Sequence, residues 1–422
     1  MSLNPSEGMF PAVRQIGCPE EYTVVLHYRG GPAAGGVVAT LTDPLSVEWT
    51  RTLDKVSMCD VTLVKPVCGA LLKALDERVV DRPEWAYEMA VYRGQADQPV
   101  WCGPLIMFTE TRDDITLHAE DFMAWLKVMP VPADYRFTGK AAMDASDLAF
   151  WLISGALGLA DPNVLPYVRT APAGILATRR GQAYTESAWT GVEALARDHI
   201  DICCVNRTIL IGPEGGGSLA GRVLRFTDAD FSGEGPTIES DGYAAATMVT
   251  AKAQGIQGAA NSITRNRWGE KWAEAYPQDV GVGNPDESNR ANTVTIGKVE
   301  SGWRGLVWQL LALSGTRLTP ELTATAQRGY QRAKIPEFLR MSNAELGPLA
   351  PVAIEELIPG SRMTVALDET WIRPVSTPLR LTEVHVVFNA EGESVKISAE
   401  PVSVRVEDPS DDTGADDDDE ES

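Results

Sequence analysis

The feature that most constrains the fold is a run of alternating apolar and polar residues between positions 85 and 131. It contains WAYEMAVYRG and VWCGPLIMFTETR, which flank the turn sequence GQADQP, and it continues as ITLHAED and DFMAWLKVM. Because successive side chains of a strand point to opposite faces, this pattern predicts a hairpin, a further strand and a short closing helix. The apolar residues that we expect on the buried face are Val100, Leu105, Met107, Ile115, Leu117 and Phe122.

The same run carries enough acid and base to suggest an active site. These groups are Glu110, Asp113, Asp114, His118, Glu120 and Asp121. In the alternating pattern the acids fall on the outer face or in the turn TRDD. We therefore interpret this region as architecture, with its acidic side chains on the outside.

The pattern changes in the middle of the chain. DASDLAFWLISGALG predicts an amphipathic helix with Asp144 or Ser146 as its cap, and SAWTGVEALARDHI predicts a second helix. IDICCVNRTILIGP then predicts a hairpin that turns near Asn206. Strands at both ends and helices between them predict an α+β, multidomain, β-rich fold around a smaller α/β unit.

The C-terminal half is harder to assign. Residues 258–298 are rich in glycine, proline and asparagine, which predicts a long insertion loop. GWRGLVWQLLALSG has a helix-like pattern, and VAIEELIPGSRMTVAL predicts a helical turn followed by a strand. Two alternating segments around NAEGE predict a last hairpin.

Charge limits the partners of the chain. The 422 residues carry a net charge of −22, and ten acids without a lysine or arginine lie in EDPSDDTGADDDDEES at 407–422; without these ten acids the remaining chain still carries −12. A chain that is this acidic even without its tail should not bind nucleic acid through its phosphates. We expect the acidic tail, 406–422, to be disordered. We find no membrane-spanning run and no signal peptide, and we expect the protein to be made in a cytoplasm.

Motifs for catalysis, cofactors and metals are missing. Neither a nucleophile elbow nor a zinc-protease motif occurs, and GPEGGGSLAGR lacks the lysine of a phosphate-binding loop. The histidines stand singly, at His27, His118, His199 and His385, and the six cysteines form no C-x-x-C pair. We expect a protein that is not an enzyme, with buried free thiols and no cofactor.

Two tryptophans stand apart from the other nine. Trp268 and Trp272 lie four residues apart in the polar segment RNRWGEKWAEAY, so on a helix they would share one face. They are candidate contacts to a partner or a sugar, or the staple of a short helix. An alternative function is therefore a cell-wall carbohydrate-binding or peptidoglycan-degrading protein that uses this loop, with Glu270 and Glu274 nearby.

Two clusters of residues resemble the N-terminal region of minor tail proteins of actinobacterial long-tailed phages, the tail-tip baseplate hub family. The first cluster has the form W-x-R-x-L-D-x-x-S, and the second is a strand that ends in Y-R, a turn, and V-W-x-G-P. In this chain they consist of Trp49, Arg51, Leu53, Asp54 and Ser57, and of Tyr92, Arg93, Val100, Trp101, Gly103 and Pro104. The middle helix, NRTILIG and ELGPLAPVAIEELIPGSRMTVAL are also similar to that family.

The resemblance implies two tube-type β-barrel domains with the small α/β domain between them. The corresponding boundaries are 1–130 for the first barrel, 131–215 for the α/β domain and 216–405 for the second β-rich domain, which includes the loop 258–298. Three such subunits are expected to form a ring of six barrels.

The implied function is that of a virion protein at the tail tip. A homotrimer would continue the tail tube and contact the distal tail protein, the tape-measure protein and other minor tail proteins. DNA would pass through its lumen without specific binding, since an acidic wall repels phosphates. The same fold in a contractile injection apparatus is a further alternative.

Overall fold

The structure is a computed structural model of the chain. It describes residues 21–65, 85–94, 96–137, 141–159, 165–177, 179–214, 219, 223–232, 235–240, 248–252, 262–266, 293–297, 308–312, 337–367 and 378–402. Between 238 and 340 the description covers the backbone of the strands alone. The acidic tail, 406–422, lies outside the described residues.

The N-terminal part is built from antiparallel strands. Its elements are β1 (Tyr22–Tyr28), α1 (Gly31–Ala34), β2 (Val37–Thr42), β3 (Ser46–Thr52), β4 (Met58–Val64), β5 (Tyr87–Arg93), β6 (Trp101–Glu110), β7 (Asp114–Glu120) and α2 (Ala124–Val128). Strand β5 pairs with β6 and β6 pairs with β7, and α2 follows directly. The hairpin, the further strand and the short helix predicted from the alternating pattern are thus confirmed.

The middle part contains the two predicted helices and the predicted hairpin. Its elements are β8 (Tyr135–Phe137), β9 (Met143–Asp144), α3 (Ala145–Leu157), β10 (Tyr167–Thr170), β11 (Leu176–Ala177), β12 (Arg179–Gly181), α4 (Ala188–Asp198), β13 (Ile200–Val205) and β14 (Thr208–Pro213). Asp144 is the N-cap of α3, where its carboxylate accepts from the Ser146 N–H at 2.9 Å. Ser187 caps α4 in the same way through the Thr190 N–H.

The C-terminal part returns to strands. They are β15 (Val223–Thr227), β16 (Phe231–Ser232), β17 (Thr237–Ser240), β18 (Met248–Lys252), β19 (Ser262–Asn266), β20 (Thr293–Gly297), β21 (Trp308–Ala312), β22 (Glu337–Leu346), β23 (Arg362–Ala366), β24 (Leu379–Asn389) and β25 (Gly392–Pro401). Short 3-10 helices lie at Asp228–Asp230 and Ile354–Glu356. The last hairpin and the helical turn before β23 were predicted correctly.

One prediction for this part was wrong and another held only in part. The segment 258–298 is not a loop throughout, because β19 lies within it and joins β20, β18 and β21 in a four-stranded sheet. The helix-like pattern at 302–315 contains the strand β21, which pairs in parallel with β18. A short apolar run fits either a buried strand or a buried helix, and the neighbouring strands decided between them.

One large sheet joins the two ends of the chain. Its order is β16-β22-β25-β24-β3-β4-β7-β6-β5-β1-β2, and further strands join at the side. The connection is the antiparallel pairing of β24 with β3, which runs from Glu383 opposite Thr52 to Phe388 opposite Val47. The described part of the chain is β-rich, and its strands are mainly antiparallel and form no closed barrel. The arrangement as two tube-type barrels is therefore kept as a proposal below.

The large sheet curls over a single core. The rings of Tyr22 in β1 and Phe388 in β24 lie 4.7 Å apart, although five strands separate β1 from β24 in the sheet. Trp49 and Trp101 are buried in this core, whereas Trp85 and Trp125 are half-buried and meet edge to face, with ring centroids 4.9 Å apart. Apolar strands from both ends of the sequence thus share one interior.

Two side chains of the opening run depart from their predicted positions. Met107 is 52% exposed, because a β-bulge between Leu105 and Met107 shifts the register of β6 against β7 and turns its side chain outward. Asp121 is buried, and both of its carboxylate oxygens accept backbone N–H groups, from Ser57 and from Met123, each at 2.8 Å.

Among the described helices, none has the length and apolar character needed to cross a membrane.

A glycine substitution tests the close packing of this sheet. A Cβ atom at Gly103 would lie 1.9 Å from the Glu120 carbonyl oxygen, so Gly103→Ala should lower the free energy of unfolding by about 2–4 kcal/mol. At Gly155 in α3 the nearest atom, in Pro132, would be 3.7 Å away, and Gly155→Ala should raise stability by about 0.5–1 kcal/mol. Chemical denaturation of both variants checks this, and equal effects would contradict the packing of β6 on β7.

Candidate functional site

The first cluster of the W-x-R-x-L-D-x-x-S pattern lies inside the protein. Trp49 is fully buried, and the guanidinium of Arg51 stacks 5.0 Å from the centre of its ring. Arg51 donates to the carbonyl oxygens of Ile354 at 3.2 Å and Leu357 at 3.3 Å, and also to that of Val100. Burial lowers the pKa of Arg51. This arginine therefore ties the N-terminal strands to the segment before β23.

The last two residues of that cluster connect other elements. Asp54 and Ile202 exchange two hydrogen bonds: Asp54 N–H donates to the Ile202 carbonyl at 2.8 Å, and Ile202 N–H donates to the Asp54 carboxyl at 2.9 Å. The Ser57 hydroxyl accepts from the Thr52 N–H at 3.0 Å, and the Asp121 N–H donates to the Ser57 carbonyl at 2.9 Å. Asp54 thus fixes the α/β unit to the turn between β3 and β4.

Asp54 belongs to a charge cluster, which we call the junction cluster, together with Asp201, Arg380 and Glu400. Arg380 and Asp201 are buried and form an ion pair, and Arg380 also pairs with the exposed Glu400. Burial, followed by the nearby Asp201 carboxylate, raises the pKa of Asp54 to about 8. Asp54 is therefore mostly protonated at neutral pH, which limits the repulsion among the carboxylates around one guanidinium.

The second cluster of the resemblance is structural too. Arg93 and Glu393 form a bidentate ion pair, with N···O distances of 2.7 and 2.9 Å, and the Tyr22 hydroxyl donates to Glu393 at 2.6 Å. Both partners of the pair are buried, so the bond spans the core between β5 and β25. The Trp101 indole N–H donates to the Thr50 carbonyl at 3.1 Å. These residues hold the curled sheet together.

The histidines form no catalytic arrangement within the described residues. His118 bonds to Asp60 at 2.7 Å and His385 to Glu48 at 2.8 Å, both on the sheet surface, while His27 and His199 are buried. The described part of the chain also contains no group of three or more residues that could hold a metal ion.

The cysteines that the structure describes are free and buried, as expected. They are Cys59, Cys102, Cys203 and Cys204. Burial raises the pKa of all four thiols, so thiolate chemistry is disfavoured at each of them. Cys18 and Cys68 lie outside the described residues.

One face of the large sheet is polar and reaches solvent, and we call it the open face. Strands β3, β4, β7 and β25 alternate strictly between buried and accessible side chains. On these strands and β24 the open face carries six carboxylates and one lysine, which are Glu48, Asp60, Asp114, Glu120, Glu383, Glu400 and Lys396. Two of the carboxylates have basic partners, since Glu120 pairs with Lys127 and Glu400 with Arg380. The described residues thus include a broad acidic surface that no catalytic group interrupts.

The centre of the open face pairs two acids with two histidines. Glu48 and Asp60 lie directly opposite each other on β3 and β4, an arrangement that repels. His385 flanks Glu48 on β24 and His118 flanks Asp60 on β7. The side chains of Glu48 and Asp60 keep 53% and 44% of their surface accessible, so they still present negative charge outward.

The candidate contact residues Trp268 and Trp272 lie outside the described residues, as do Glu270 and Glu274.

Sequence reasoning missed the roles of Arg51 and Glu393, and did not single out Arg380. The signal was present for the first two, because each occupies a position where the alternation of its strand calls for an inward apolar residue. A charge in such a position indicates a buried partner, although the sequence does not name it.

Replacement of Asp54 tests the junction cluster. The pKa of this group in the folded protein, about 8, exceeds the value near 4 expected for the unfolded chain, so the native state binds the extra proton between these pH values. The Asp54 contribution to unfolding free energy therefore falls as pH rises through this window. Asn cannot ionise, keeps the acceptor for Ile202 and tolerates the φ of 58°. The unfolding free energy of Asp54→Asn should thus gain on the order of 3–4 kcal/mol over that of the parent between pH 5 and pH 9.

Asp43 provides the matched control for this experiment. It is an exposed aspartate in a turn with a similar φ of 55°. Urea denaturation at pH 5, 7 and 9 should show that the unfolding free energy of Asp43→Asn differs from that of the parent by the same amount at each pH. If the difference in unfolding free energy between Asp54→Asn and the parent were also constant with pH, the proposed protonation of the buried Asp54 carboxyl would be contradicted.

Comparisons with known proteins identify the fold. No protein-family model and no curated protein matches the sequence. The structure is similar to a 43 kDa tail protein of prophage MuSo2 from Shewanella oneidensis, with a TM-score of 0.54, 10% identity, and coverage of 90% of this chain and 99% of that one. It is similar to the tail protein from Neisseria meningitidis MC58, with a TM-score of 0.52, 12% identity and coverage of 90% and 96%.

A third similar structure is the prophage tail protein gp18 from Listeria monocytogenes EGD-e. Its TM-score is 0.52 at 9% identity, and the match covers 89% of this chain and 94% of that one. At such identities the matches establish a shared fold along nearly the whole length of each chain. The folds to which this chain is similar are those of tail proteins, two of them from prophages.

Proposed function

We propose that the chain is a structural protein of a phage tail tip, a baseplate hub whose homotrimer continues the tail tube and connects it to distal tip proteins. The observation that carries this proposal is the match to three tail proteins over 89–90% of this chain. The residues that resemble the minor tail proteins of actinobacterial long-tailed phages support it, because they form the contacts that hold this fold together. A structural role also agrees with the catalytic motifs missing from the sequence.

The proposed ring has three subunits and pseudo-six-fold symmetry, with two tube-type domains in each subunit. The domain division proposed for it is 1–130, 131–215 and 216–405. An edge of the large sheet supports the ring. Among the described strands β2 pairs with β1 alone, and its sequence VVATLT contains neither charge nor proline. Natural proteins protect free edges with such residues, so an unprotected edge favours pairing with a neighbouring chain.

The proposed lumen is lined by the open face. Its six carboxylates outnumber its basic side chains, so the surface repels DNA phosphates and DNA would slide past without specific binding. His118 and His385 hydrogen-bond to Asp60 and Glu48, whose side chains stay accessible on this face. This is the physical requirement for a conduit through which a genome passes during ejection.

The proposed partners are the distal tail protein, the tape-measure protein and other minor tail proteins, in a virion assembled in the host cytoplasm. Trp268 and Trp272 are the proposed partner contacts, since two large aromatic side chains in a polar segment favour an interface. In this proposal the chain is not an enzyme and needs no cofactor.

The assembly state tests this function. Purified protein should have a mass of about 137 kDa, three times the 45.6 kDa of one chain, and its images should show a three-fold ring. Thr40→Lys with Thr42→Lys places two charges on the exposed side of β2 and should shift the protein toward the monomer. Thr170→Lys, on the exposed strand β10, should leave the trimer intact.

Mass photometry over a concentration series measures the trimer fraction of each variant. A parent protein that stays monomeric at every concentration, or a ring with the open face on its outside, would reject the proposed hub. Unchanged assembly of the β2 variant would reject only the contact through that strand.

A further inference from the structure

The small sheet of the α/β unit has an open edge. Its strand order is β10-β14-β13, and among the described strands β10 pairs with β14 alone. The opposite edge is covered, because Ile202 in β13 exchanges hydrogen bonds with Asp54 at the turn between β3 and β4. In this sheet the edge at β10 is therefore the place where a further strand can join.

Alternate residues of β10 direct their backbone groups away from β14. The N–H groups of Tyr167 and Ala171 donate to carbonyl oxygens of β14 or of the residue before it, at 2.7 and 2.9 Å. In a parallel pair the residues that bond to the neighbouring strand occur at every second position, so Arg169 belongs to the same set. The N–H and C=O groups of Val168 and Thr170 therefore point outward, where an extended segment can pair with them.

Helix α3 places an exposed apolar side chain beside this edge. The helix packs on both β10 and α4. One flank of it faces α4 and β8, because Leu152 lies close to Gly191 of α4 and Trp151 contacts the aromatic rings of β8. Each residue of a helix is rotated by about 100° from the last, so Phe150 lies on the opposite flank, on the side where the sheet ends at β10. Its side chain is 43% exposed.

The two faces of β10 differ in chemistry. Val168 is half-buried and packs on the core under α3, on the face where Phe150 is exposed. Tyr167 and Arg169 lie on the other face, and both are exposed. Within the described part of the chain no residue pairs with the Arg169 guanidinium. A strand that joins β10 is therefore favoured by apolar residues on one side and acidic residues on the other.

The charge of Arg169 argues against a second copy of the chain as the occupant. If two β10 strands paired in antiparallel fashion around this position, Arg169 would lie opposite Arg169 of the partner subunit, and like charges in such a pair repel. Strand β2 of a neighbouring copy would bring no acid, since its sequence is VVATLT. A different protein that supplies carboxylates fits the edge better.

We propose that β10 binds an extended segment of another protein, in which apolar residues alternate with acidic ones. The segment forms backbone hydrogen bonds with Val168 and Thr170, covers Phe150 with its apolar side chains and presents a carboxylate to Arg169. This contact is separate from the proposed ring, which forms through β2, and it does not depend on the assembly state.

Peptide binding and hydrogen exchange on the full-length protein test the proposal. The probe is a labelled peptide with capped ends and the sequence SVEVEVS, and the control peptide is SVKVKVS. The protein should bind the acidic probe at least about tenfold more tightly than the basic control, because only the acids pair with Arg169. The amides of Val168 and Thr170 should exchange quickly in the free protein and slowly when the probe is bound.

Substitutions at Thr170 separate the backbone contact from the side chain. Thr170→Pro removes the outward N–H, leaves the bonds to β14 intact and should weaken probe binding by about tenfold. Thr170→Ala keeps the N–H and should bind the probe as the parent does. Arg169→Gln should reduce the preference for the acidic peptide to about twofold or less. Circular dichroism confirms that each variant is folded.

Four results would overturn the proposal. The first is no binding of the probe, or equal affinity for the two peptides, and the second is unchanged probe binding by Thr170→Pro. The third is slow exchange at Val168 and Thr170 in the free protein at every concentration, which would show that the chain itself covers the edge. The fourth is slow exchange that appears only as the protein concentration rises, which would show that a second copy covers it.

Discussion

The pairing of β24 with β3 is the contact on which the rest of the fold depends. It joins strands that lie more than 330 residues apart in the sequence and turns two separate sets of strands into one sheet. Without it the inner faces of both sets would lose their shared core, in which Tyr22 packs against Phe388. Closing so long a loop costs entropy, which the burial of a continuous apolar face offsets.

Buried charges fix the geometry of that core. Arg51, the pair of Arg93 with Glu393, and the pair of Arg380 with Asp201 each connect elements from different parts of the chain. Such pairs add little stability compared with apolar residues of the same size, but breaking one leaves an unpaired charge in the interior. We infer that they select one arrangement of the three parts of the chain, and that the residues of the family resemblance serve this purpose.

The surface has a different character from the interior. The open face presents carboxylates over several strands, and β2 offers an unprotected edge. These two surfaces are the ones on which the proposed ring and its lumen depend.

The sequence by itself determined the local elements: the hairpins, the helices α3 and α4, Asp144 as one of two candidate caps of α3, and the exclusion of common catalytic motifs. These follow from the periodicity of side chains along a strand or helix, which is a short-range property. Tertiary structure alone decided the pairing of β24 with β3, the bulge that exposes Met107, the burial of Asp121 and the strand at Trp308–Ala312. The reason is that each depends on a partner strand or a buried neighbour elsewhere in the chain, and local periodicity carries no information about which distant segment will supply it.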